Sequence, residues 1–285
     1  MPRRVRIASI NVNGIRAATR KGMIEWLDLA DVDIMALQEV RATAEQLAES
    51  LPGWRIVGDE ALAKGRAGVA IVSRDEPVDV RRGLEGPKRL DASGRWLETD
   101  FAVDGETVTV VSAYVPSGEA ETPKQEQKWD FLNAMEKRMR QLRAEAPLAV
   151  VMGDLNVGHR ELDIRNWKGN VKRAGFLPRE RGYFDRLFGA TGTIVTGVDG
   201  SRGRGQGWID VGRRFHGEVD GPYTWWSMMG RAFDNDTGWR IDYHVATPDL
   251  AERVTDYRID RAPSWDTRWS DHAPVIADYS LGTPE

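Results

Sequence analysis

Carboxylates, amides and an imidazole recur where short apolar runs stop. The alternating run Val5-Arg6-Ile7-Ala8-Ser9-Ile10 ends at Asn11 and Asn13, and Asp33-Ile34-Met35-Ala36-Leu37 ends at Gln38-Glu39. Leu148-Ala149-Val150-Val151-Met152-Gly153 ends at Asp154-Leu155-Asn156. Asp242 lies between Ile241 and Tyr243, and Ser270-Asp271-His272 stands directly before Ala273-Pro274-Val275-Ile276. Asp or Asn at a strand end ordinarily makes a turn by bonding nearby backbone. An unpaired carboxylate inside an apolar strand is costlier, by several kcal/mol, so Asp242 needs a partner, and His272 is a candidate. Oxygen donors of this kind suit a hard cation such as Mg²⁺ or Mn²⁺. The chain has no Cys and only four His, none spaced as His-x-x-x-His, which argues against zinc.

The elements that must carry these residues can be read from periodicity and punctuation. A strand ending at Asn11 is followed by the Asn13-Gly14 turn signal and a helix over about 16–29. Thr43 and Gln46 fit a capping box for the next helix, which Pro52-Gly53 stops. Strands are expected at about 54–57, 68–73, 78–82, 95–102 and 106–115. A long helix over about 124–144 carries Trp129, Leu132, Met135, Met139 and Leu142 at three- and four-residue spacings. The strand 148–153 follows, then a polar, basic, loop-rich stretch over 156–182. A glycine-rich surface loop is expected over 189–207, and strands at about 239–246 and 274–280. Strands mixed with flanking helices, without repeat or linker, predict an α/β protein with residues 1–285 in one domain.

Composition narrows the function classes. At 285 residues, with 41% hydrophobic and 29% charged residues, the chain is of ordinary globular make-up. No apolar run approaches the roughly 20 residues of a membrane span, and the N-terminus lacks the apolar core of a signal peptide, so the cytoplasm is the expected compartment. The net charge of −4 means that any nucleic-acid binding must use a local basic face. Residues 158–182 offer one, with seven Lys or Arg against three acids. The eleven Trp are mostly expected in the core, Trp226 among them.

Seven blocks, in order, carry a resemblance: Ser9-Ile10-Asn11-Val12-Asn13-Gly14-Ile15-Arg16, Leu37-Gln38-Glu39, Tyr114-Val115-Pro116-Ser117-Gly118, Gly153-Asp154-Leu155-Asn156, Tyr223-Thr224-Trp225-Trp226, Gly238-Trp239-Arg240-Ile241-Asp242-Tyr243 and Ser270-Asp271-His272-Ala273-Pro274. Together they resemble the exonuclease III type of DNA-repair nuclease, the class II apurinic/apyrimidinic endonucleases, over about residues 5–280. The resemblance implies a four-layer α/β sandwich, two packed mixed β-sheets flanked by helices, as in DNase I. Because that fold also serves phosphatases and sphingomyelinases, it implies phosphoester hydrolysis only, and substrate must be argued from the site.

Carried over block by block, the resemblance makes Glu39 the chief metal ligand, with Asn11 and Asn13 beside it and Asp271 as a second metal or leaving-group residue. Asp154 would orient and deprotonate a water, and Asn156 would hold the water or the phosphate. His272 would donate to the scissile phosphate, held by Asp242; Tyr114 would bind the phosphate or act as base. Trp225, Trp239 and Ile241 would wall a slot for a base-less sugar, with Asn170, Arg173 and Ser117 near it. Arg173 and Ser117 stand where the family usually has amides. The implied activity is Mg²⁺-dependent hydrolysis of double-stranded DNA, with Mn²⁺ as a substitute, by a monomer: incision 5′ to abasic sites, 3′–5′ exonuclease and 3′-end cleaning. A same-fold phosphatase or phosphodiesterase acting on inositol phosphates or lipids is the alternative.

Overall fold

Residues 2–63, 65–87, 90 and 93–282 are described by the computed structural model. The chain runs through β1 (Arg3–Asn11), α1 (Ile15–Ala18), α2 (Ile24–Ala30), β2 (Ile34–Gln38), α3 (Ala44–Ser50), β3 (Arg55–Asp59), β4 (Val69–Ser73), β5 (Asp79–Arg82), β6 (Trp96–Val103) and β7 (Glu106–Tyr114). It continues through α4 (Pro123–Glu145), β8 (Ala149–Asp154), α5 (Pro178–Phe188), β9 (Ile194–Thr196), β10 (Arg202–Arg204), β11 (Ile209–Asp210) and α6 (Val211–His216). Last come β12 (Trp225–Trp226), β13 (Gly238–Trp239), β14 (Asp242–Ala246), α7 (Pro248–Ala251), β15 (Val254–Ile259) and β16 (Val275–Leu281).

Two six-stranded sheets form the centre, ordered β15-β16-β1-β2-β4-β3 and β11-β14-β8-β7-β6-β5. Each contains one parallel pair, β1 with β2 and β7 with β8, and every other pairing is antiparallel. A parallel pair needs a crossover, and here helices supply it: α1 and α2 between β1 and β2, α4 between β7 and β8. Side chains alternate between the two faces of each strand. Ile7, Val110, Val150 and Met152 therefore meet between the sheets, while Val111 and Val151 turn outward onto Leu132, Met135 and Phe184. On the other side Ala8, Met35 and Val72 pack against Met23, Leu27 and Leu47. The result is the four-layer arrangement of helices, sheet, sheet and helices. Each fully buried Leu, Ile, Phe or Met contributes about 2 kcal/mol of apolar burial.

The same alternation builds the site. The inward rows are apolar in the middle and turn polar towards one end of the sandwich. Gln38 there donates to Ser112 Oγ at 3.1 Å, and Ser112 donates to the Leu37 carbonyl at 3.0 Å, so this buried polar tier is satisfied. Asn11, Tyr114 and Asp154 are the last inward residues of β1, β7 and β8, and Asp242 is the first of β14. Tyr114 stands opposite Asp154, and Asp154 opposite Asp242, in the ladder. This is the carboxyl end of both parallel pairs, where open α/β sheets present their ligand sites. Gly153 is required in this row: a Cβ there would come 1.9 Å from the Ala113 carbonyl oxygen.

Four sequence expectations need correction. The helix over 16–29 is bent by a wide turn at Thr19–Met23, centred on Gly22 with φ of 114°, a conformation open to glycine. Residues 156–182 are not loop throughout, because Pro178 opens α5. The strand over 239–246 is two strands. Trp239 pairs with Trp225, and Arg240 then breaks the run by turning its buried guanidinium onto Asp163 and Asp210, at 2.7 and 2.6 Å. The glycine-rich stretch holds the β9–β10 hairpin packed on α5, where Gly189 and Gly203 allow close approach to Val195 and Arg186. The Thr43–Gln46 capping box is present, with Gln46 N–H on Thr43 Oγ1 at 3.3 Å and Thr43 N–H on Gln46 Oε1 at 3.2 Å.

Candidate active site

A cleft of about 490 Å³ opens at the polar end of the sandwich. Glu39, Tyr114, Asp154 and His272 line it together with Trp225, Trp239 and Ile241, and Ser117, Asn156, Arg173 and Asp271 border it. Residues scattered over the sequence thus meet because their strands end at one edge.

The carboxylates converge on an amide. Asn11 Nδ2 donates to Glu39 Oε1 at 3.2 Å and to Asp154 Oδ2 at 2.9 Å. Tyr114 O–H donates to the same Glu39 oxygen at 2.6 Å, and Arg41 pairs with the other. Asn156 donates to Asp154 twice, from its backbone and from Nδ2, each at 3.0 Å. Asp271 accepts from Asn13 Nδ2 at 2.8 Å and from Trp225 Nε1 at 3.1 Å. His272 Nδ1 sits 2.9 and 3.1 Å from the two Asp242 oxygens, and its Nε2 faces Asp154 at 3.8 Å.

Backbone conformation aims several of these groups. Asn13, Glu39, Arg41 and Asn156 all take left-handed φ near 50°. Asn tolerates this, but for Glu and Arg it costs on the order of 1–3 kcal/mol. The cost is met by cross-links between strand exits: Gly14 N–H on the Glu39 carbonyl at 2.8 Å, and Val40 and Arg41 N–H on Gly68 and Ala67, each at 3.0 Å. Glu39 is thereby turned into the cleft instead of continuing β2.

Electrostatics follow from burial and crowding. Burial pushes the Asp154 carboxyl well above the usual carboxylate range, and Asp242 and Glu39 add to this against His272 and Asn11. Burial alone would lower His272, but Asp242 and Asp154 outweigh it and hold the imidazole charged above its ordinary range. Burial pushes the Tyr114 phenol up, and Glu39 and Asp154 push it further, so it stays protonated at neutral pH. Burial opposes ionisation of Asp271, yet His272, Trp225 and Asn13 bring its carboxyl below the usual value.

The donor set fits a divalent cation of the hard, oxygen-binding kind. Glu39 and Asp154 bring oxygen donors to one point, now bridged by the Asn11 amide, and no sulfur is near, which fits a hard ion. Asn11 shows Glu39 its nitrogen, while its oxygen accepts the Asn13 N–H at 3.0 Å. In this arrangement it is a donor to the carboxylates, and ligation would need the amide turned over. Asp154, Asp242 and His272 also form a tight group. Asp242 is occupied there by His272 and by Thr224 O–H at 2.6 Å, so this group is a hydrogen-bonded relay.

The aromatic residues divide cleanly. Trp225 and Trp239 face each other edge-on, 6.1 Å between centroids, and with Ile241 give the cleft an apolar wall. Trp226 is buried against Phe233. Asn170 is not brought to the cleft; its amide donates to the Asn166 carbonyl at 2.8 Å. Several supporting residues escape sequence reasoning. Thr224 Oγ1 accepts the Ile241 and Asp242 N–H groups at 3.1 Å while donating to Asp242, and Ser270 donates to the Asn11 carbonyl at 2.7 Å. Both sit inside blocks already singled out, but nothing in their type marks them. Lys128 is fully buried, paired with Glu180 at 2.7 Å, and donates to the carbonyls of Asn156 at 2.8 Å and Ser117 at 3.2 Å. Its one signal is its place on the apolar stripe of α4.

Convergent carboxylates, a charged imidazole and a hard-ion donor set at the edge of two packed sheets define a phosphoester hydrolase. Residues 8–272 match the endonuclease/exonuclease/phosphatase family, to which the chain belongs. Within it the chain is a DNA-repair nuclease of the exonuclease III and AP-endonuclease kind. An exodeoxyribonuclease of Bacillus subtilis is 32% identical over 272 residues, covering 95% of this chain and 98% of that protein. An AP endonuclease from Archaeoglobus fulgidus superposes with a TM-score of 0.79 at 27% identity, over 97% of this chain and 100% of that one. A 3′ phosphatase from Neisseria, solved with a product DNA hairpin, gives 0.76 at 28% identity over 96% and 99%. Among the described residues no helix is long and apolar enough to cross a membrane.

Proposed function

We propose that the cleft hydrolyses the phosphodiester 5′ to an abasic site in duplex DNA, and trims blocked 3′ ends, with Mg²⁺ as the working ion. The observation that carries this reading is the apolar slot of Trp225, Trp239 and Ile241 opening onto Asp154 and His272 in one cleft. A base-less deoxyribose can enter such a slot, whereas a nucleotide brings a base that must be placed elsewhere.

Asp154 serves as the base. Its raised carboxyl suits proton transfer near neutral pH, and two bonds from Asn156 fix its orientation. Tyr114, held protonated, is a donor to Glu39 or to phosphate and not a base. His272, kept charged by Asp242, donates from Nε2 to a phosphoryl oxygen as negative charge builds in the transition state. Bound Mg²⁺ supplies charge neutralisation on the phosphoryl and leaving oxygens. Glu39 would be its principal ligand with Asp271 beside it, and Asn11 and Asn13 would add oxygen donors once their amides, which now donate to Glu39, Asp154 and Asp271, were turned over. Arg173 and the basic segment around it meet the backbone phosphates.

The test is incubation of the purified protein with an abasic duplex, an intact duplex and inositol phosphates, with Mg²⁺ or with chelator. The reading expects Mg²⁺-dependent incision of the abasic duplex far above the other substrates. Equal turnover of inositol phosphates, or incision indifferent to chelator, would overturn it.

A further inference from the structure

A second basic surface lies away from the cleft, where α4, α5 and the β9–β10 hairpin enclose a depression of about 370 Å³. Arg140, Arg179, Arg186, Arg202 and Arg204 line it, together with Glu136 and Asp199. One of its two acids is paired with an arginine, and the other, held by a serine, leaves one negative charge against the four remaining arginines. Glu136 takes Arg186 at 2.7 Å, and Asp199 accepts the Ser201 N–H and O–H at 3.0 and 2.7 Å. Arg179 lies over the Trp129 ring at 4.4 Å and has no carboxylate partner among the described residues. Arg140, Arg202 and Arg204 make no side-chain hydrogen bond or ion pair among the described residues. In a chain of net charge −4, whose buried guanidinia Arg213 and Arg240 are matched to acids, such a group of uncompensated arginines is a specific feature.

The hairpin presents them in a fixed way. Gly203 faces α5, where a Cβ would come 2.3 Å from Arg186 Cδ. Arg202 and Arg204, one position to either side, therefore share the outer face of β10. The planar guanidinium fork matches phosphate oxygens. Tyr183, the one aromatic in the lining, is buried, so the surface offers no ring for stacking a base and suits a backbone only. The chain itself leads from the cleft to this surface, because the cleft-bordering segment 173–175 runs directly into α5. Arg173 borders the cleft, Arg179 stands in the first turn of α5, and Arg186 lies about 10 Å further along that helix.

We propose that this depression is a second, sequence-independent anchor for duplex DNA, holding backbone phosphates that flank the cleavage point; it rests on the reading that the cleft takes DNA. The test compares the wild type with the triple variant Arg140→Ser, Arg202→Ser, Arg204→Ser on abasic duplexes of about 10 and about 30 base pairs. Binding is followed by anisotropy as salt is varied. Each lost phosphate contact flattens the slope of log affinity against log salt by about 0.9, so with three arginines removed the long duplex should lose about 2.7 in slope and bind roughly 10–100-fold more weakly. Affinity for the short duplex and single-turnover incision should be unchanged. An unaltered slope on the long duplex, or an equal loss on the short one, would overturn the anchor. Wild-type protein that fails to incise either abasic duplex would instead condemn the reading of the cleft.

Discussion

Replacing Asp242 by Asn tests the electrostatic core of the site with little change of shape. The amide keeps an oxygen for His272 Nδ1–H and an acceptor for Thr224, but it removes the charge 2.9 Å from the imidazole. At that separation, with an effective dielectric of about 20, a full charge is worth about 6 kcal/mol, or about four pH units on the imidazole. His272 would then be largely neutral at neutral pH, because burial, now opposed only by Asp154 and more weakly by Asp271, favours the uncharged ring. The sign of the pH dependence follows. A charged His272 is needed, so wild-type activity is lost only as pH rises through its raised pKa, above the ordinary imidazole range. The variant should lose activity several pH units lower. Single-turnover incision from pH 5.5 to 10 reads this directly: a shift of about four units from about 10 leaves only a few per cent of the ring charged at pH 7.5, so the rate should fall about 30-fold there with DNA affinity unchanged. A variant that keeps the wild-type high-pH limb and rate would refute the claim that Asp242 holds His272 charged.

Other parts of the molecule give further expectations. Lys128→Met leaves Glu180 buried without its cation and should cost about 3–5 kcal/mol in urea unfolding, whereas Lys128→Met with Glu180→Met should recover much of it; equal losses would exclude pairing as the cause. Gly153→Ala should abolish cooperative folding, since its methyl would overlap the Ala113 carbonyl; a wild-type melting temperature would contradict the packing of β8 on β7. His244 is buried neutral, its pKa lowered to about 4 by burial, with Tyr279 and Val275 as partners. The unfolded chain binds that proton first, so stability is full above about pH 6.5 and falls as pH drops towards 4, by about 3 kcal/mol in all. His244→Gln should flatten the pH dependence of urea midpoints between 5 and 6.5.

The strand-end residues were legible because chemistry and period coincide in them. Asn11 and Tyr114 close alternating runs, so their direction is implied by the residues two and four positions before, whereas the run before Asp154 is apolar throughout and only its abrupt polar end marks that residue. The family blocks then join rows that periodicity alone leaves unconnected. What stayed hidden depends on tertiary partners. Arg240 ends a strand because Asp163 and Asp210 wait for it, and no local signal announces them. β15 breaks the two-residue alternation, with Thr255, Asp256 and Arg258 between its apolar Val254, Tyr257 and Ile259, and forms by pairing with β16 at the sheet edge, where its register shifts. The β9–β10 hairpin reads as loop because its glycines serve contact with α5, not flexibility. Asn170 sits in a basic, motif-like run, yet its short 3₁₀ turn directs the amide to its own loop.

The most direct measurement is single-turnover incision of an abasic duplex, with Mg²⁺ and saturating protein, by the wild type and by Asp154→Asn. The variant keeps the volume and one acceptor of the carboxylate but cannot take a proton. The account predicts equal DNA affinity, prompt incision by the wild type and a rate at least about 10³-fold lower in the variant. Incision by the variant at the wild-type rate would contradict it.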